Sequence, residues 1–325
     1  MTEELMTAPG DAITNSRSSD EVVLRTRNLS KQYGKRIAVD NLNLEVRRGE
    51  IMGFLGPNGA GKTTTIRMAL GLIAPNAGSV EILGQEVATH GSRILPRVGA
   101  LVETPALYLY MSGRNNLRAV ASVLGGVPAS RIDAVLDLVG LRARQRDRVR
   151  TYSLGMKQRL GVAIALLQDP DLLILDEPAN GLDPAGIVEM RDLMHRLTAE
   201  GKTVFISSHL LTEVQQICTR VSIINLGELV KVSTIEDLIS GNGEFVVTLE
   251  RAQEALALVK AQPWGKDARL DARGTLVTTA PGNRGRDLNL FLVDAGFAPE
   301  TIAQSTQDLE QVFLELTNSG TGEIQ

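Results

Sequence analysis

Five consecutive apolar or small residues, Ile51-Met52-Gly53-Phe54-Leu55, run without a break into Gly56-Pro57-Asn58-Gly59-Ala60-Gly61-Lys62-Thr63. The run is too short for a helix and lacks the alternation of a half-buried strand, so it reads as a strand buried on both faces. Such strands belong to parallel sheets covered by helices. The segment that follows, Thr63 to Leu72, places Ile66, Leu70 and Ile73 at helical spacing. Strand, glycine loop and helix in that order is the setting in which G-x-x-x-x-G-K-[ST] cradles phosphate. The glycines let backbone N–H groups turn inward, and the helix N-terminus adds positive potential. Lys62 is expected to reach the β- and γ-phosphates, to stand exposed when no nucleotide is bound, and Thr63 to ligate Mg²⁺.

The rest of the chain extends this α/β reading. Strands are predicted at Val22 to Arg25, Asn41 to Val46 and Gly78 to Leu83, ahead of a mostly helical stretch from Leu101 to about Gln168. Strands and helices then alternate to Asn225, which implies a mostly parallel core with an antiparallel edge sheet and a helical insert at about 103–168. A flexible junction is read at Ser240-Gly241-Asn242-Gly243. Beyond it the order β-α-β-β-α-β is that of a small α+β, ferredoxin-like unit. The expected division is a disordered extension over 1–20, a nucleotide-binding domain over 21–240 and an accessory domain over 241–325.

A second group of chemical residues sits at predicted strand ends. Leu172-Leu173-Ile174-Leu175 is another doubly buried strand, and it ends in Asp176-Glu177. Adjacent carboxylates there are costly unless they meet a cation or a proton-transfer task. Asp176 suits Mg²⁺, and Glu177 suits the general base for an attacking water. His209 closes the strand that ends Ile206-Ser207-Ser208, on the edge where doubly wound sheets bind ligands. Tyr33 is one of only eleven aromatic residues and is read in a polar loop, Lys31-Gln32-Tyr33-Gly34.

Between the glycine loop and Asp176 lies Tyr152-Ser153-Leu154-Gly155-Met156-Lys157-Gln158-Arg159. This segment resembles the signature of the ATP-binding-cassette (ABC) family. The resemblance covers residues 22–240 strongly and 241–317 more weakly. It implies that Ser153 and Gly155 close over ATP held by a second copy. It further implies that Thr64 contacts the α-phosphate, that Tyr33 stacks on adenine unless its ring is used for packing, and that His209 contacts the γ-phosphate. Gly181-Leu182-Asp183 resembles the family's dimer-contact loop. Two departures stand out: Leu154 with Met156-Lys157 in the signature, and Glu103, in Val102-Glu103-Thr104-Pro105, where most members have a glutamine that senses Mg²⁺ and faces the membrane partner. Both variants, with Leu107-Tyr108 and Gly113-Arg114-Asn115-Asn116-Leu117, look like the exporter branch related to bacitracin, lantibiotic and daunorubicin resistance. Glu103 is accordingly placed near Mg²⁺, the alternative being a solvated loop residue.

Composition narrows the setting. The formal charge of −4 gives no hint of nucleic-acid affinity and does not exclude it; no nucleic acid is expected as a partner. The run Arg142, Arg144, Arg146, Arg148, Arg150 lacks interleaved aromatics and reads as solvated surface. The single cysteine, Cys218, lies in an apolar-periodic segment and reads as core. No apolar run approaches the ~20 residues of a membrane span. The resemblance therefore implies an ATPase that meets the cytoplasmic face of the membrane through a separately encoded permease, working as a homodimer or as one of a pair. The alternative is a soluble ABC ATPase acting on ribosomes or DNA. Such proteins carry two cassettes or a long coiled-coil insertion, and neither is present here.

Overall fold

In the computed structural model, residues 21–306 and 309–318 are described, and the segment 1–20 lies outside them. The chain begins with a long hairpin, β1 (Val22–Tyr33) and β2 (Arg36–Arg47). Both strands run well beyond their predicted ends. Register shifts interrupt their pairing, and Asn28 and Asn41 take positive φ, so irregular backbone hides one continuous hairpin from a pattern search. The buried strand β3 (Ile51–Leu55) follows, then α1 (Lys62–Ala69), β4 (Ala77–Ile82), the two-residue β5 (Gln85–Glu86), α2 (Val87–Ile94) and β6 (Val98–Leu101).

The helical insert holds α3 (Gly113–Leu124), α4 (Ala129–Leu138) and α5 (Leu154–Ala165). The Ser112 hydroxyl accepts from the Asn115 N–H and caps α3, and Ser153 caps α5 in the same way. The chain then returns through β7 (Leu172–Asp176), α6 (Pro184–Ala199), β8 (Thr203–Ser208), α7 (Leu211–Ile217), β9 (Arg220–Asn225), β10 (Glu228–Thr234) and α8 (Ile235–Ile239). Asp183 caps α6 through Gly186, and Pro184 occupies the first helical position, where its missing N–H costs nothing.

One sheet orders its strands β10-β9-β3-β8-β7-β6, parallel except for β10 at its edge. A second, antiparallel sheet runs β2-β1-β4-β5. Apolar side chains of β1, β2 and α1 meet one face of the parallel sheet, with Phe54 and Phe205 rings 5.4 Å apart. The other face packs on the insert, α6 and α7. Cys218 is buried there, and burial pushes its thiol up to about 12, as a core role requires. Strand β10, which the sequence reading passed over, lies at the sheet edge with no fully buried position, although it carries Leu229, Val230 and Val232.

The last segment holds β11 (Ser240–Thr248), α9 (Ala252–Lys260), β12 (Arg269–Leu270), β13 (Leu276–Thr278), α10 (Gly285–Asp294), β14 (Thr301–Thr306) and α11 (Leu309–Asn318). Its sheet order is β12-β13-β11-β14, all antiparallel, around an apolar cluster of its own. Read as a flexible junction, residues 240–243 instead begin β11. Helix α11 leaves that cluster. Leu309 is wholly buried in the same apolar cluster as Val214, Ile217 and Leu238, and Asn225 Nδ2 donates to Thr317 O at 2.9 Å.

Candidate nucleotide site

Three parallel strands end side by side. Leu55 pairs with Ser208, and Asp176 with Ser207, so the glycine loop, the two carboxylates and His209 all leave the sheet at its carboxyl edge. The loop's shape depends on its glycines. Gly61 has φ +109, and a Cβ there would lie 2.4 Å from Ala38 O; one at Gly56 would lie 2.5 Å from Ile224 O. Pro57 and Ala60 complete the turn, with Ala60 N–H donating to Pro57 O.

A cavity of about 730 Å³ opens above this edge, lined by Tyr33, Arg36, Ala38, Asn58, Gly59, Gly61, Lys62, Thr63, Thr64, Glu177, Asn180 and His209. Nine of these were expected from the sequence; Arg36, Ala38 and Asn180 were not. Asn180 follows Glu177 by one turn, its N–H donating to Glu177 O at 3.1 Å. Arg36 pairs across the hairpin with Tyr33, a placement that only the full length of β1 and β2 reveals. Tyr33 is the last residue of β1 rather than a loop residue. Lys31 Nζ sits 5.3 Å over one face of its ring. With 48% exposure, the ring is available for stacking rather than committed to the core.

Lys62 departs from expectation: it is 6% exposed. Its ammonium donates to Gly56 O at 2.6 Å and to Pro57 O at 3.4 Å, and lies 3.5 Å from Glu177 Oε1. A buried ammonium needs such partners, because leaving it unpaired would cost several kcal/mol. Glu177 is held in a left-handed conformation, φ 51, with its N–H shared between Ser207 O and Ser207 Oγ, each at 3.1 Å. His209 Nδ1 lies 2.7 Å from Glu177 Oε2. Glu177, His209 and Lys62 thus form one contiguous group.

Asp176 is buried at the end of β7. Thr63 Oγ1 donates to its Oδ2 at 2.9 Å, and Ser207 Oγ donates to Oδ1. A hydroxyl beside a carboxylate is a hard-oxygen pair suited to Mg²⁺. Among the described residues no group of three or more His, Cys, Asp or Glu could hold a metal alone, so nucleotide oxygens would have to complete the shell. Glu103 does not join this pair. It does not line the cavity, it is exposed, and its carboxylate is hydrogen bonded to Arg67 on α1. Its positive φ, 61, turns the chain at the entrance to the insert and directs the side chain toward that helix.

Ser153 and Gly155 also lie outside the cavity. Ser153 is exposed at the start of α5. The arginine run is exposed surface, with Arg142 paired to Asp133 and Arg144 to Asp147.

Glu213, which the sequence reading did not single out, is buried on α7 one turn beyond His209. Burial raises its carboxyl above the usual range and Glu177 adds to this, while His209 opposes both.

Comparison with known proteins agrees with this geometry. Residues 39–180 match the family described as ABC transporter. The chain is 41% identical over 307 residues to the "Uncharacterized ABC transporter ATP-binding protein YhcH" of Bacillus subtilis (strain 168), covering 94% of this chain and 99% of that one. It is 42% identical over 302 residues to the "Bacitracin transport ATP-binding protein BcrA" of Bacillus licheniformis, covering 92% and 98%. It is 41% identical over 208 residues to the "Lantibiotic transport ATP-binding protein SrtF" of Streptococcus pyogenes, covering 64% and 89%. Among solved structures, "Structure of ATP binding subunit of ABC transporter" matches with TM-score 0.59 and 29% identity, covering 66% of this chain and 91% of that one. A cavity built by a phosphate loop, an acidic strand end and a histidine, on a chain alike over more than nine tenths of its length to YhcH and BcrA, identifies an ATP-binding ATPase of the ABC transporter family.

Proposed function

We propose that the chain is the ATP-hydrolysing subunit of an exporter that powers a separately encoded permease from the cytoplasmic face of the membrane, with a drug, an antibiotic or a peptide as cargo. The observation that carries the cargo class is the near full-length likeness to a protein named for bacitracin transport. No helix among the described residues is long and apolar enough to cross a membrane, which fits a separate permease.

Two copies would pair head to tail over two nucleotides. Tyr33 stacks on the base, the loop from Gly56 through Thr64 wraps the phosphates, and the partner copy supplies Ser153 and Gly155. Lys62 exchanges its carbonyl partners for phosphate oxygens. Thr63 and Asp176 would hold Mg²⁺, which would neutralise charge on the phosphates. Glu177 accepts the proton of the attacking water, and His209 orients the carboxylate and meets the terminal phosphate. Residues 21–240 form the ATP-binding unit and 241–325 an accessory unit that reaches back through α11. Glu103, tied to Arg67, links α1 to the entrance of the insert, so that movement of the phosphate loop can be felt where the permease docks.

Affinity capture of the full chain from detergent-solubilised membranes tests this reading. A stoichiometric membrane-spanning partner that stimulates ATP hydrolysis is expected. Recovery with ribosomes or DNA, and no such partner, would overturn it.

A further inference from the structure

Arg36 lines the nucleotide cavity, yet no charged partner engages it. Its guanidinium lies at the loop's open side: Nη2 donates weakly to Gly59 O at 3.4 Å, and a Cβ placed on Gly59 would come within 3.3 Å of the same nitrogen. Among the described residues no carboxylate pairs with it, whereas most arginines near the parallel sheet, such as Arg48, Arg97 and Arg220, hold acidic partners. The other cation of the cavity, Lys62, is occupied by Gly56 O and Glu177. The backbone position of Arg36 is fixed, because it closes the β1–β2 hairpin opposite Tyr33.

We propose that Arg36 is a phosphate ligand of the bound nucleotide, reaching across from the base-stacking hairpin to the triphosphate. This rests on the phosphate-loop reading and extends it to a residue outside the loop. The chemistry favours phosphate over the base. Guanidinium presents planar paired donors that match phosphate oxygens, and the nearest groups it touches belong to the phosphate loop rather than to the face of Tyr33. A nucleoside triphosphate also brings several negative charges into a site that already holds Glu177 and Asp176. An uncommitted cation on the outer wall offsets that repulsion. Binding by Arg36 would close the side of the cavity that faces solvent, holding hairpin and loop together only when phosphate is present.

The test uses the full chain with Arg36→Gln and Arg36→Lys. ATP affinity is measured by titration at low and high salt, and adenosine is measured as a competitor at millimolar concentration. Arg36→Gln is expected to weaken ATP about tenfold at low salt, to lose less at high salt, and to leave adenosine unchanged. Arg36→Lys should recover part of the loss. Since Arg36 is exposed, all forms should melt alike without nucleotide. Wild-type ATP affinity in Arg36→Gln, or an equal loss for adenosine, would overturn the role of Arg36 while leaving the phosphate-loop reading intact. Failure of the unaltered chain to bind ATP would overturn both.

Discussion

Replacing Glu177 by glutamine changes one atom's chemistry and little of the geometry. The backbone is held by Ser207, and its left-handed conformation stores about 1–3 kcal/mol that the surrounding bonds sustain. Glutamine keeps the length and an acceptor oxygen for Lys62 or His209, so the shape of the site is retained, although the buried ammonium loses an opposite charge and the nucleotide-free variant should melt somewhat lower. What disappears is a basic carboxylate. A positioned base is worth ~10²–10⁴ in rate, or about 3–5 kcal/mol of barrier. Binding should move the other way. The carboxylate sits 3.5 Å from Lys62, and at an effective dielectric of ~20 their attraction is about 4–5 kcal/mol before screening by solvent. Incoming phosphates must compete with it. Without that charge, Lys62 is freer to take phosphate oxygens, and ATP loses a negative neighbour. Glu177→Gln should therefore bind ATP as tightly as the wild type or more so, while phosphate release falls ~10²-fold or more. Titration gives the affinity, a phosphate-release assay gives the rate, and light scattering should show an accumulated ATP-bound pair. Phosphate release within about threefold of wild type would refute the base assignment. Loss of ATP binding together with turnover would show that Glu177 builds the site rather than working in it.

Two further outcomes follow from the packing. Leu309→Ala should cost about 2–4 kcal/mol in denaturant unfolding, because Leu309 is fully buried against α7 and α8; unchanged stability would mean that α11 does not hold to the ATP-binding unit. Asp171, just ahead of β7, is disfavoured as a carboxylate by burial, but Arg97 and Arg48 outweigh this and hold its pKa below the usual value. Its contribution is then present above the ordinary carboxyl pKa and lost as pH falls through the lower folded value. Asp171→Asn should cost about 1–2 kcal/mol near neutrality and converge on wild type only as pH falls below the lowered folded value; equal melting of the two proteins at neutral pH would refute this.

Residues whose position follows from their immediate neighbours were legible in the sequence. The glycine loop declares itself by spacing, and Asp176, Glu177 and His209 by their place after apolar runs. Contacts between distant segments were not. Lys62 is adjacent to nothing acidic in sequence, so its burial against Glu177, 115 positions later, carries no local signal. Glu103 was assigned to the metal by its position in a family pattern, but Arg67 claims its carboxylate, a pairing set by how α1 lies against the end of β6. Arg36 escaped notice because Asn28 and Asn41 interrupt the strand pattern that would have brought it beside Tyr33. The docking of α11 was hidden for a similar reason: its apolar stripe shows that it is covered, not by which unit.

Gly155 offers a test of the proposal that the site is incomplete within one chain. In most helices an early glycine is explained by a close neighbour or an unusual φ, yet neither applies here. A Cβ on Gly155 would meet nothing nearer than Gly186 Cα at 3.7 Å, an ordinary van der Waals contact, and its φ is not positive. Ser153 nearby is exposed whereas Gly155 is buried, and neither residue lines the chain's own cavity. Gly155 is itself buried, and its Cβ direction faces Gly186 and Leu182 with room for a methyl group, so the chain's own packing tolerates alanine there. Gly155→Ala therefore separates the chain's packing from its pairing. Alanine favours the helix by up to about 1 kcal/mol, so the single chain should melt at or above the wild-type temperature. ATP binding to the isolated subunit should be unaltered, since the loop and Tyr33 are untouched. Under the proposed pairing, ATP-driven association and phosphate release should both fall, because a partner's nucleotide would have to come close to the α5 backbone at this position. If Gly155→Ala paired and turned over like the wild type, the start of α5 would not be the second half of the site, and ATP would be hydrolysed by one chain's residues alone.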